Sequence, residues 1–182
     1  MTDAPPVRLS DEPPALLATA RRTVPADGLP EFFDTAYRAV LVALQRAGAE
    51  PAGPALAWYH GMPGGAFDVS AAFPVVGVPV GPLAPVPAAE GTDDPAPDAA
   101  GAAGDDRPAL EVVVVERPGG PALTTEHVGP YDGLAAAWQR LERWRAEHAG
   151  PARGDFWEVY LTDPAGGVDP AAWRTALVLP LA

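Results

Sequence analysis

The sequence predicts an α+β fold made of two similar halves, each a strand, a helix and two more strands, packed around a pseudo-twofold axis. Three observations carry this. The order of strand-like and helix-like segments occurs twice. The copies retain similarity: PAGPALAWYH (51–60) lies over PARGDFWEVY (151–160) at an offset of one hundred, and FDVSAAFPV (67–75) lies over WRTALVLPL (173–181). A stretch of different composition, 87–108, separates them. The expected architecture is an antiparallel sheet with both helices on one face and a ligand groove on the other. The 182 residues, 48% apolar, suit one domain of ordinary size or two small fused halves.

Residues 1–13 are polar and proline-rich and are expected to be disordered, with the folded domain spanning 14–182. Its first half is 14–86. ALLATARRTV (15–24) reads as the first strand. A helix follows, with Pro30 suited to its first turn and Phe33, Tyr37, Val40, Leu41 and Leu44 at helical spacing. Gly48 is placed to stop it. ALAWYHG (55–61) and AFDVSAAFPVV (66–76) read as strands joined by the turn-forming MPGG.

The separating stretch, PAAEGTDDPAPDAAGAAGDDRP, carries six acids against one arginine. It cannot bury enough apolar area to offset its chain entropy, so a disordered acidic linker is expected. The second half, 109–182, resumes with LEVVVVERP (110–118), paired as a hairpin across PGG with PALTTEHVGPY (121–131). A second helix runs from about Asp132 to His148, with Leu134, Ala137, Trp138, Leu141 and Trp144 on one face and Gly150 as its stop. FWEVYLTDP (156–164) and WRTALVLPL (173–181) close the chain as strands.

Strand alternation then assigns faces. Trp157, Val159 and Leu161 should pack on the helices, while Phe156, Glu158 and Tyr160 face the groove. The same parity in the first copy selects Leu56, Trp58 and His60, with Trp58 opposite Glu158. Tyr59 falls on the other parity and is expected in the core, unless a one-residue bulge exchanges the two sets. Glu158 is the informative residue. An ionised carboxylate among aromatic side chains is costly unless its pKa rises or a cation joins it. Two partners remain open: a bound cationic ligand, helped by cation–π attraction to the rings, or a structural ion pair with Arg174 on the neighbouring strand.

The formal charge is −12, and all twelve basic residues are arginine. This argues against direct nucleic-acid binding, which rests on neutralising phosphates. Lysine, isoleucine and asparagine are absent; their AT-rich codons point to a GC-rich, actinobacterial genome. No signal peptide or membrane span is read, so a soluble cytoplasmic protein without membrane contact is expected. No cysteine is present, and the three histidines, His60, His127 and His148, lie on separate elements, so no metal site and no cofactor are predicted. Neither Ser10 nor Ser70 sits in a nucleophile elbow.

HVGPYDGLAAAWQRLERW (127–144), followed by WEVYLTDP and WRTALVLPL, resembles the GyrI-like small-molecule-binding domain, the effector-binding module of multidrug-responsive AraC- and MerR-type regulators. The likeness is close over the second half and by pattern over the first. It implies a groove for bulky, often cationic, aromatic compounds, with Glu158 of the E-x-Y motif meeting the ligand and aromatic side chains as walls. The candidate ligand-binding set is Glu158, Tyr160, Phe156, Trp58, His60, Leu56, Tyr131 and Trp173. For His127 and Tyr131, a structural role at the strand-to-helix corner is favoured, with Tyr131 still able to reach the groove.

At most fifteen residues precede the first strand, too few for a helix-turn-helix unit. The expected function is therefore binding of bulky amphipathic or cationic small molecules by a stand-alone sensor or sequestering protein, with a separate regulator as a partner. Some stand-alone members are, by resemblance, hydrolases that open cyclopropane rings of DNA-alkylating compounds; here Glu158 and Tyr160 would be catalytic. A third reading is an inhibitor of a topoisomerase-like partner that imitates DNA charge.

Overall fold

The computed structural model describes residues 5–61, 64–83 and 110–182, so the expected linker at 87–108 lies outside the described residues. In chain order the strands are β1 (Arg8–Glu12), β2 (Ala15–Pro25), β3 (Leu56–Tyr59), β4 (Ala66–Pro74), β5 (Gly81–Pro82), β6 (Val112–Arg117), β7 (Gly120–Val128), β8 (Phe156–Tyr160) and β9 (Arg174–Pro180). The helices are α1 (Leu29–Arg46) and α2 (Leu134–His148). All the strands join one sheet in the order β1-β7-β9-β8-β3-β4-β2-β6-β5, and every pairing is antiparallel. The fold is mixed α+β, as expected.

The boundary between β3 and β8 divides the sheet into two halves with matching order, β8-β9-β7 and β3-β4-β2. Each half holds one helix. α1 packs on β2 and β4, and α2 packs on β7. Helix boundaries follow local chemistry: Pro30 lies in the first turn of α1, where a missing N–H leaves no bond unmade, and Gly48 takes φ +68° just past its end.

Two expectations about the chain's early segments are corrected. Residues 8–12, expected to be disordered, form β1 and pair with β7 through Arg8↔Thr124 to Glu12↔Gly120. The run 110–118 is a strand but not the hairpin partner of β7: β6 pairs with β2, from Ala15↔Arg117 to Ala20↔Val112. Each half thus lends its leading strand to the other. The exchange brings the β6–β7 connection at Pro118-Gly119 across the β1–β2 connection. A Cβ on Gly119 would come within 2.6 Å of the Pro14 nitrogen and would also strike the Glu12 carbonyl. A turn-like PGG therefore marks a backbone crossing, where only glycine leaves room.

The face assignments are corrected too. Across β3 and β8, Ala57 stands opposite Glu158, Trp58 opposite Trp157 and Tyr59 opposite Phe156. Directly opposed residues in an antiparallel pair share a face. Tyr59 therefore accompanies Phe156, Glu158 and Tyr160, while Leu56 and Trp58 accompany Trp157 and Val159. The alignment offset of one hundred differs from this pairing by one residue, and a one-residue slip reverses every side chain.

The set containing Glu158 faces the helices. Phe156 and Tyr160 join the core cluster that holds Phe32, Val40 and Leu44 of α1. Trp157, 1% exposed, packs on the opposite face with Leu17, Leu56, Trp58 and Val178. That face has its own cover. The Arg117 guanidinium lies 3.9 Å over the Trp157 ring and donates to the Pro13 carbonyl in the crossing connection. A large aromatic can thus bury there without a helix above it, and alternation alone could not reveal this.

Candidate functional site

Because Glu158 faces the helices, the hollow beside it lies between α1 and α2 on the helix-bearing side. Its volume is about 1090 Å³. This replaces the expectation of a groove on the helix-free face. α1 contributes Phe33 and Tyr37, one turn apart and stacked at 5.6 Å; α2 contributes Leu134 and Trp138; the sheet contributes Tyr59, Phe67, Phe73, Phe156, Glu158 and Tyr160.

The rings form a connected wall. Tyr59 stacks on Phe156 with centroids 4.7 Å apart, Trp138 meets Phe156 edge-on at 4.8 Å, and Tyr160 meets Tyr37 at 6.4 Å and Tyr131 at 5.5 Å. Such a lining offers π faces to a guest from several directions.

Glu158 sits within this wall and is only 5% exposed. The Trp138 indole N–H donates to its Oε1 at 2.7 Å, the Tyr160 hydroxyl donates to Oε2 at 2.9 Å, and the Tyr59 hydroxyl reaches Oε2 at 3.5 Å. Every one of these donors is neutral. Burial pushes the Glu158 carboxyl above its ordinary pKa, and the three donors and the nearby His127 offset this only in part. The structural ion pair with Arg174 does not form: Arg174 is bound to Glu126, with Nη2 2.7 Å from Oε2. Burial also raises the Tyr59 and Tyr160 hydroxyls, so both remain protonated donors at neutral pH.

Around the cavity stand Asp34, Glu142 and Asp163, with no arginine or histidine among the described lining residues. Glu142 is paired with Arg145 at 2.7 Å. The charge lining the hollow is therefore of one sign. Among the described residues, no group of three or more His, Asp or Glu is placed to hold a metal ion.

The predicted residues divide cleanly. Glu158, Tyr160, Phe156 and Tyr131 line the cavity. Trp173 does not; it backs Tyr131 at 4.9 Å and donates to the Val168 carbonyl. Leu56, Trp58 and His60 lie on the other face. Trp58 donates to Asp155 at 2.9 Å, and His60 packs 4.4 Å from Trp58 and hydrogen-bonds Ser70 at 2.8 Å.

His127 is buried, with its ring N–H donating to the Pro130 carbonyl at 2.9 Å; a Cβ on Gly133 would collide with that ring. The histidine and glycines of HVGPYDG therefore shape the corner that delivers Tyr131. Sequence reasoning placed Tyr59 in the core and did not single out Trp138, Phe67, Phe73, Phe33 or Tyr37 as lining residues. The available signal was that the apolar stripes of both helices include aromatic residues, Phe33 and Tyr37 in one and Trp138 and Trp144 in the other.

The sequence profile of the family described as "GyrI-like small molecule binding domain" matches residues 6–182. No curated protein matches the chain. Among solved structures, the fold is similar to the EcmrR C-terminal domain (TM-score 0.67, 19% identity, covering 97% of this chain and 96% of that one). It is also similar to EcmrR in its DNA complex within EcmrR-RPo (TM-score 0.69, 18% identity); there the match covers 97% of this chain but only 57% of the EcmrR chain. SAV2435 bound to tetraphenylphosphonium is a third likeness (TM-score 0.61, 12% identity, 97% and 94% covered).

Proposed function

The chain belongs to the GyrI-like small-molecule-binding domain family, and from that premise we propose that its inter-helical cavity binds bulky lipophilic aromatic cations, with Glu158 as the counter-charge. One observation carries this: a buried carboxylate, held by three neutral donors and by no arginine among the described residues, opens onto a cavity walled by rings. A cation entering there meets a carboxyl that no described arginine pairs, in a medium where water screens poorly, and favours its ionised form; each ring face adds roughly 0.5–2 kcal/mol. A large planar or propeller-shaped guest also buries apolar area against the rings of the wall.

The protein would act as a sensor or sequestering module, with transcriptional output, if any, delivered by a separate regulator. The SAV2435 structure with tetraphenylphosphonium makes that ion the natural first probe. Titrating it into the protein while following tryptophan fluorescence tests the reading, because Trp138 both lines the cavity and bonds Glu158. Saturable quenching is expected; a signal that stays flat to millimolar ligand would end the proposal.

One observation favours a second reading, hydrolysis of strained cyclopropane-containing compounds. The Tyr160 hydroxyl and a carboxyl with a raised pKa are hydrogen-bonded at 2.9 Å, a pairing that could protonate a leaving carbon or activate water. Turnover of such a substrate that vanishes in Glu158→Gln, while binding of its ring-opened product persists, would select it.

A further inference from the structure

A second depression of about 890 Å³ lies beside the cavity, between the C-terminal end of α1 and the segment leading to β5. We propose that the two form one bipartite site, in which the depression takes the alkyl tail of an amphipathic cation whose head sits near Glu158. This rests on the cation reading of the cavity.

Continuity is the first argument. Phe33, Tyr37 and Leu41 line the cavity, and Leu41 and Gln45 line the depression. These residues recur every fourth position, so they form one row along α1, with Leu41 in both walls. From Tyr37, whose ring neighbours Tyr160, to Gln45 the helix rises roughly 12 Å, a span that about ten methylene groups cover.

The change in chemistry along this row is the second argument. The cavity is aromatic and holds the buried carboxylate. The depression has no aromatic ring among its described lining residues; Leu41, Val78 and Leu83 give it aliphatic side chains, and Gln45, Glu50 and the backbone of its turns give it polar lining as well. Leu41 is 42% exposed and Val76 is 81% exposed at its lip, so apolar surface there is left to water. Among the described lining residues of either part none is basic, while Asp34, Glu142, Asp163 and Glu50 are acidic, a charge pattern that favours a cation. An aromatic head would gain little in the depression, whereas a flexible hydrocarbon chain gains with every methylene it removes from water.

The test uses the full chain and a homologous series of alkyltrimethylammonium ions, butyl to hexadecyl, each below its micelle concentration, with affinities from calorimetry. Affinity is expected to climb roughly two- to fourfold per methylene and to keep climbing past octyl. Val78→Thr and Leu83→Gln, each outside the cavity, should leave the butyl-to-octyl values at wild type and cut the octyl-to-hexadecyl gain by about tenfold or more. Two variants are used so that misfolding of one leaves the other informative. A wild-type plateau at octyl, or an undiminished gain in the variants, overturns the bipartite site and spares the cation reading of the cavity. Binding of tetraphenylphosphonium without any alkylammonium does the same, whereas failure of both ligand types overturns both proposals.

Discussion

Replacing Glu158 by glutamine exchanges one carboxylate oxygen for an amide nitrogen and removes the charge, so it isolates the electrostatic part of the proposed cation binding. With a cationic centre about 5 Å from the carboxylate and an effective dielectric near 20, the attraction is about 3 kcal/mol. Some of this is offset, because burial raises the Glu158 pKa and any protonated fraction must ionise first, at about 1.4 kcal/mol for each unit by which that pKa exceeds the working pH. The net expectation is a loss of about 1.5–3 kcal/mol, roughly ten- to two-hundredfold in Kd for tetraphenylphosphonium.

Shape is preserved, since the glutamine oxygen can still accept from Trp138 and the Tyr160 hydroxyl can rotate to accept from the amide. A neutral guest of similar outline, triphenylphosphine oxide, should therefore bind wild type and variant alike. Fluorescence titration of both ligands against both proteins supplies the four affinities. If the phosphonium Kd moves by less than twofold, or the neutral guest loses as much as the cation, the carboxylate is not acting as a counter-charge and the reasoning fails.

The same side chain governs a pH effect. A carboxyl whose pKa is higher folded than unfolded stabilises the fold most below its unfolded value, ordinarily 4.5, and that contribution disappears as pH rises through the folded value. Glu158→Gln does not titrate, so the difference in Tm between it and wild type should shift in the variant's favour as pH rises above the ordinary carboxylate value; a constant difference in thermal melts would contradict the burial argument. Gly119→Ala should destabilise by about 1–3 kcal/mol or more in urea titrations, because its methyl would meet backbone that belongs to the other half's crossing segment. Trp58→Phe should leave phosphonium affinity unchanged while costing about 1 kcal/mol of stability through the lost bond to Asp155. Tyr59→Leu should weaken binding severalfold by removing a ring worth about 0.5–2 kcal/mol to a cation, as read by the same fluorescence titration.

Local chemistry was enough to place both helices, the strands β2, β3, β4 and β6 to β9 and the anomalous carboxylate in FWEVY, because periodicity, proline, glycine and the cost of a buried charge act within a few residues. It also marked the duplication, which implies the halves-about-an-axis plan seen in the strand order. What it could not reach depends on contacts between distant segments. The exchange of β1 and β6 between halves brings Gly119 against backbone a hundred residues away, a close approach that no local signal announces. The register of β3 on β8 is set by the whole sheet, and its one-residue difference from the alignment moved Trp58 and His60 out of the site and brought Tyr59 in. Alternation separates two faces without saying which the helices cover; in the fold Trp157 lies on the face where Arg117 covers it, and Glu158 lies on the other, within reach of Trp138 of α2.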